Sequence, residues 1–438
     1  MNSAIGPVGK KEIFGWAMYD FANSSFVTVI ITAIYSGFFT EYIVPKDSAF
    51  KNSYWSMAIV IATVLALLLS PLVGAVCDVT GAKKKALGLS TLVCVLSSLG
   101  LMFVEPGDVG LGVLFVGVGF AGFMLGESFC ASFLSDLATP KNMGMVSGIG
   151  WGIGYFGGIG SLVLVLMIVT AKPDVDLALF IEQNQWAAAS VGIFFFVAAM
   201  PTFLWLKNRS KPLPGYENMS LVAQFRSGFG RLMETKRQAH KHQKLFSFLK
   251  AFLFYYAGMS ACITFAGIFA RAELKFETTE LSIMFLLIQF SSALGALGFG
   301  YLDTKWGPKK TVLITIAMWI VGVLILFGLD SIAGVLGVTP QQLFYGDSLI
   351  IGTGMGAMQS SSRAIVGVLS PRERSTELFG FWGLFSRAAS LLAMLLGPLS
   401  DFVGSIQRAS LLLVFFFVVG GVMLWRIDIH VEEDGAPA

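Results

Sequence analysis

Charged residues are scarce: Asp, Glu, Lys and Arg make up 13% of the 438 residues, against roughly a quarter of an average soluble domain. Hydrophobic residues reach 55% and the mean hydropathy is +0.75. A water-soluble globule is excluded, because such a chain could not hide that much apolar surface from water. The net charge of +3 is small and argues against a nucleic-acid partner. Cysteine is rare too. Cys77, Cys94, Cys130 and Cys262 all lie in apolar runs and none pairs at a metal-ligand spacing, so buried thiols are expected, with no disulfide, metal or cofactor. Three histidines, His240, His242 and His430, fall in polar segments far from any candidate nucleophile. No Gly-Lys-Ser/Thr nucleotide loop occurs, and the glycines at 150–158 follow no strand. Together these absences argue against an enzyme and against ATP-driven chemistry.

What is abundant is long apolar stretches. A membrane-crossing helix needs about 20 mostly apolar residues. Twelve suitable runs occur, at 14–39, 54–77, 86–104, 110–134, 143–170, 186–206, 245–270, 281–302, 311–329, 343–369, 378–399 and 409–427. Lys10 and Lys11 ahead of the first run imitate a signal peptide, but no small-residue cleavage site follows, so a retained first helix is expected.

Loop charge predicts orientation, since cytoplasmic loops retain Lys and Arg. One alternating set of loops holds Lys10, Lys11, Lys83, Lys84, Lys85, Lys141, the 207–244 segment, Lys305, Lys309, Lys310, Arg372 and Arg374. The other is acidic, with Glu41, Asp47, Glu105, Asp108, Asp174, Asp176, Glu182, Glu273, Glu277, Glu280 and Asp330. Both termini are then cytoplasmic, in agreement with an even span count, and the plasma (inner) membrane is the expected location. Within 207–244, Leu221, Phe225, Phe229 and Leu232 recur at helical spacing among Arg226, Arg231, Lys236 and Arg237. A basic amphipathic helix on the anionic inner leaflet is predicted. The chain therefore divides into six-helix bundles at 1–206 and 245–438, the latter with a short cytoplasmic tail, joined by a cytoplasmic linker at 207–244.

The halves repeat one another. After the second run comes Gly74-Ala-Val-Cys-Asp78-Val-Thr-Gly81-Ala-Lys-Lys84-Lys, and after the eighth Gly300-Tyr-Leu-Asp303-Thr-Lys-Trp-Gly307-Pro-Lys309-Lys. Pro140 and Pro371 open corresponding loops, and Trp151-Gly152 and Trp382-Gly383 each follow eleven residues on. Parallel six-helix repeats of this kind resemble the major facilitator superfamily. The expected fold class is an all-α membrane protein with twelve transmembrane helices in two pseudo-symmetric six-helix bundles. Gly74, Asp78, Gly81, Lys84, Asp303, Gly307 and Lys309 then form candidate gate motifs on the cytoplasmic face. Their glycines permit sharp turns and close approach, and Asp78 can accept from backbone donors or a basic side chain.

Three further stretches resemble the vacuole effluxer family, named for a fungal autophagy-related vacuolar amino-acid exporter. They are Trp16-Ala-Met-Tyr19-Asp20-Phe-Ala-Asn23-Ser24-Ser25-Phe26, Gly150-Trp151-Gly-Ile-Gly154-Tyr155-Phe-Gly157-Gly158, and the region with Ser362-Arg363, Pro371, Glu377-Leu-Phe-Gly380 and Gly397-Pro398. The Tyr-Asn-Asp-Gly of the family's seventh helix reads Tyr255-Tyr256-Ala257-Gly258 here, without the acid. The resemblance implies transport of a small solute, with amino acids the best-known class, and a path lined by the first, fourth, seventh and tenth helices.

Ionisable groups at membrane depth are costly and usually face a partner or a wet cavity. Asp20 and Glu127 belong to the first half, Arg363 and Arg387 to the second. Three uses stay open: an ion pair that holds one side shut, a fork and an acid for a zwitterion, or proton loading at Glu127 or Asp20. Tyr19, Asn23, Tyr155, Tyr256, Gln289 and Gln359 are further candidates for substrate binding or coupling, although Asn and Gln also serve as interhelical glue. The sequence reading is a monomeric secondary active transporter working by alternating access, with an amino acid or similar zwitterion as solute, the lipid bilayer as surroundings and protons as possible coupling ion. A sugar, drug or lipid-like solute is the alternative, followed by a non-transporting receptor or scaffold.

Overall fold

The computed structural model describes residues 7–214, 220–237 and 239–429; His430 and the end of the tail lie outside the described residues. The described chain is helical throughout its regular elements. The main helices are α1 (Lys10–Ser25), α2 (Lys51–Thr80), α3 (Lys83–Gly100), α4 (Val109–Ser132), α5 (Met143–Ile168) and α6 (Leu177–Trp205). After them come α7 (Leu221–Arg237), α8 (Gln243–Ala272), α9 (Thr278–Trp306), α10 (Pro308–Phe327), α11 (Pro340–Leu369), α12 (Ser375–Ala393) and α13 (Leu411–Trp425).

Among the described residues, eleven helical stretches are long and apolar enough to cross a membrane. The remaining predicted span, α11, has 30 residues but is more polar, with Gln341, Asp347, Gln359, a serine triplet and Arg363 along its length. Its start is set locally: Thr339 accepts from the Gln342 backbone N–H, Gln342 answers to the Thr339 backbone, and Pro340 occupies the first turn.

Several boundaries differ from the sequence reading. The first run begins at Lys10 and continues past Ser25 through widened turns at Phe26–Ala33 and Phe39–Ile43, which apolar patterning does not reveal. The run at 378–399 divides into α12 and a short helix at Leu396–Val403, and a further short helix, Leu329–Leu336, precedes α11.

The chain forms two compact units. The first comprises Met1–Leu137, Ile153–Met233 and Arg372–Gly383; the second comprises Ala138–Gly152, Glu234–Pro371 and Leu384–Ala438. Three helices are thus divided: α5 starts in the second unit and ends in the first, and α7 and α12 do the reverse.

The two units repeat the same internal pairings. In the first, α1 packs on α6, α2 and α3 pack on α4, and α3 packs on α6. In the second, α8 packs on α13, α9 and α10 pack on α11, and α10 packs on α13. Small residues set the separations. Where α9 crosses α11, Gly295 lies against the Thr353 backbone and Gly356 against the Ser292 backbone, with no room for a methyl group at either position. Close backbone approach is how helices gain packing energy in lipid, which offers no hydrophobic drive of its own.

The basic amphipathic helix predicted in the linker is α7. Gly228 fits against Val76 of α2, while Val222, Phe225, Phe229 and Met233 are exposed. One face is therefore docked on the first unit and the other is apolar and uncovered.

Candidate functional site

The first cluster of interest is built around the end of α2. Gly81 ends the helix at φ +67°, a conformation that favours glycine, and its backbone is pressed by Lys211 and Pro212. Just before it, Asp78 is buried, and its two oxygens accept from the backbone N–H groups of Thr376 (3.1 Å) and Glu377 (2.8 Å). Those donors have no intrahelical partner because they open α12. A carboxylate placed there satisfies both and meets the positive end of the helix dipole. The approach requires Gly74 and Gly380: a Cβ on Gly74 would lie 2.5 Å from the Thr376 carbonyl oxygen, and one on Gly380 would lie 2.7 Å from Pro71.

Two cations complete this cluster. Lys83 is fully buried; its Nζ donates to Asp136 (2.9 Å), to Ser375 Oγ (2.8 Å) and to the Ser132 carbonyl (3.4 Å). From α7, Arg231 lies 3.5 Å from the fully buried Glu377 and donates to the Glu373 carbonyl at 2.7 Å. Lys84, the lysine singled out from sequence, faces elsewhere. It donates to the carbonyls of Phe203 (2.8 Å) and Leu206 (2.6 Å) at the end of α6. Three consecutive lysines cannot be told apart by composition; only the phase of α3 decides which one turns inward. Nearby, Arg209 forms a two-pronged pair with Glu12, one prong at 2.8 Å, and that hydrogen bond raises the guanidinium above its ordinary value.

The matching cluster in the second unit is sparser. Asp303 accepts from Ser361 Oγ at 2.8 Å, and Gly144 leaves the space its side chain fills. Gly307 has φ +79° and opens α10. Lys309 donates to the carbonyls of Trp425 (2.9 Å) and Ile427 (2.6 Å), at the end of α13.

The candidate binding residues of the first unit divide by depth of packing. Tyr19 is fully buried; its hydroxyl accepts from Thr91 at 3.2 Å and its ring meets Phe195 edge-on. Asn23 is buried with no protein partner for its Oδ1 among the described residues. Asp20 and Glu127 are half-buried, and Gly154 of α5 packs on the Asp20 backbone and Cβ. Tyr155 is buried on α5.

In the second unit, Arg363 is 2% exposed. Its Nε donates to Ser147 Oγ (3.0 Å) and a terminal nitrogen to the Ser147 carbonyl (2.8 Å), while its guanidinium lies 5.3 Å over the Trp151 ring. Ser147 donates in turn to the Ser360 carbonyl at 2.7 Å. These contacts fix the start of α5 against α11. Arg387 is 6% exposed on α12. Tyr256, Gln289 and Gln359 are half-buried, and Tyr256 stacks near Phe252. Tyr255, one position away, is fully buried and bonds Ser362 at 2.8 Å.

Sequence reasoning passed over Lys83, Glu377 and Asp347. The first two fall just ahead of the apolar runs, at the starts of α3 and α12, where charge is ordinary. Asp347 lies inside an apolar run and could have been flagged by the same depth argument that singled out Asp20. Among the described residues, no group of three His, Cys, Asp or Glu could hold a metal ion.

Comparison with known proteins agrees with the fold. The sequence profile described as "Vacuole effluxer Atg22 like" matches residues 42–434. An MFS-type transporter of Bacillus subtilis (strain 168), YxiO, is 25% identical over 430 residues, covering 97% of this chain and 96% of that protein. Autophagy-related protein 22-1 of Penicillium rubens is 22% identical over 65% of this chain, and the match spans only 49% of the fungal protein. Among solved structures, the proton:xylose symporter XylE superposes with a TM-score of 0.72 at 14% identity, covering 95% of each chain. The human organic anion transporter MFSD10 gives 0.70 at 13% identity, covering 95% of this chain and 99% of that one. At such identities the structural likeness speaks to fold alone. With the profile spanning most of the sequence, the chain belongs to the Atg22 vacuole effluxer family and is an MFS-type transporter, not an enzyme.

Proposed function

We propose that this transporter moves an amino acid or similar small zwitterion by alternating access. The observation that carries the reading is the chemistry of the charges at membrane depth. Asp20 and Glu127 are half-buried carboxylates in the first unit, and Arg387 is a buried arginine in the second. A zwitterion needs both signs, an acid for its ammonium and a guanidinium fork for its carboxylate. Arg363 holds Ser147 and lies over Trp151, and Arg387, at membrane depth on α12, is the arginine proposed to meet the solute carboxylate. The family's vacuolar exporters support the same solute class. Tyr256, Gln289, Gln359, Asn23 and Tyr155 are proposed to supply polar contacts. Protons are the proposed coupling ion.

Purified protein in liposomes, tested with a panel of labelled amino acids and sugars, checks the reading. Arg387→Ala should abolish amino-acid flux while Arg387→Lys retains part of it. A flux carried by a neutral sugar, and indifferent to both substitutions, would sink the zwitterion assignment. Glu127→Gln should lose its response to a pH gradient; an unchanged response removes Glu127 from coupling. The basic loops support an orientation with both termini in the cytoplasm, bundles at 1–206 and 245–438 and a linker between them, as a monomer in the plasma membrane.

A further inference from the structure

Asp347 sits seven residues past Pro340 on α11, about 10 Å along the helix at 1.5 Å per residue. It is 2% exposed, and neither carboxylate oxygen has a hydrogen-bond partner among the described residues. The space it fills is left by glycine: a Cβ on Gly322 of α10 would lie 3.1 Å from Asp347 Oδ1 and 2.8 Å from Ile351.

Among the described residues, the surroundings offer no compensating charge. On α8 the nearby ionisable group is the Cys262 thiol, and Arg271 at that helix's end is exposed. α10 has no ionisable side chain after Lys310, and α13 has none at all. On α9, Glu277 and Glu280 lie at the first turn, and the Glu280 carbonyl accepts from Tyr345. Asp330 on the Leu329–Leu336 helix is exposed. An ionised carboxylate without a partner is costly in such a site and at membrane depth. A metal ion would need several more ligands than one acid and one thiol.

We infer that Asp347 is a proton-exchange site of the second unit, neutral while enclosed by Gly322 and Ile351 and losing its proton to water when the α10–α11 contact opens. Only the O–H bond of the acid breaks, and no electrons change hands. The inference is independent of which solute is carried.

The test is infrared spectroscopy of the full-length protein in phosphatidylcholine vesicles at neutral pH. The wild type should show a carboxylic-acid carbonyl band, shifted by deuterium oxide, that is lost in Asp347→Asn. Asp347→Glu should move the band without removing it, which keeps the assignment testable if the asparagine variant folds poorly. Exchange is read with a pH dye inside the vesicles: net flux of a mixture of neutral amino acids, or of sugars, down an imposed concentration gradient should carry protons in the wild type and not in Asp347→Asn. A neutral-pH spectrum identical in wild type and variants, or proton movement unchanged in Asp347→Asn, overturns the inference.

Discussion

Asp78 and Asp303 close corresponding helices in the two repeats, each flanked by glycines and followed by lysines, yet they do different jobs. Asp78 caps two backbone donors at the start of α12 and stands in a cluster with buried Lys83, Asp136, Glu377 and Arg231. Asp303 receives one serine hydroxyl, and the first residue of α10, where α3 has Lys83, is the uncharged Pro308. What the repeats share is the outer lysine. Lys84 reaches the last carbonyls of α6, and Lys309 those at the end of α13. Both clusters have this fastening, whereas among the described residues the buried ion pairs of Lys83 with Asp136 and of Arg231 with Glu377 stand in the first. A shared motif therefore has a structural part common to both copies and a second part peculiar to one.

The largest expected effect that could break this contrast is at Lys83. Lys83→Met leaves Asp136 buried without its cation and should cost about 3–5 kcal/mol, the usual penalty for breaking a buried pair. Unfolding in detergent micelles measures it, and no single substitution in the second cluster should match it. A smaller effect is expected at the acids. Asp78→Ala should lose about 1–2 kcal/mol, as for a helix cap, and should speed amide exchange at Thr376 and Glu377. Asp303→Ala should leave those amides unchanged; equal acceleration by both would erase the distinction. The smallest effect tests the shared part: Lys84→Ala and Lys309→Ala should each cost about 0.3–1 kcal/mol, the worth of a cation at a helix C-terminus. A several-fold disparity between them in the same unfolding assay would mean that the fastening is not a common inheritance.

The sequence showed the helices and the repeat because lipid imposes long apolar runs and concentrates charge in loops. α11 was recognised as a span although Asp347, Gln359 and Arg363 dilute it, since its predicted run still bridges two turn signals. Side-chain direction was less legible. Lys83 and Lys84 are neighbours with one composition and opposite destinations, and only the rotation of α3 separates them. Tyr19 looked like a cavity residue by its closeness to Asp20, but one position along a helix turns a side chain by about 100°, and it packs among Thr91, Gly126 and Phe195. The widened turns after Ser25 left no trace in hydropathy at all.

The residues Arg372–Gly383 belong to the first compact unit although they lie beyond four-fifths of the chain. During synthesis, the ribosome must therefore reach residue 383 before the early helices obtain all their partners. Until then Asp78 faces no amide, Lys83 lacks Ser375, and the nascent intermediate holds a half-satisfied polar knot at its membrane edge. Birth order and assembly order are consequently uncoupled in this chain, and the first portion to be translated is among the last to be finished.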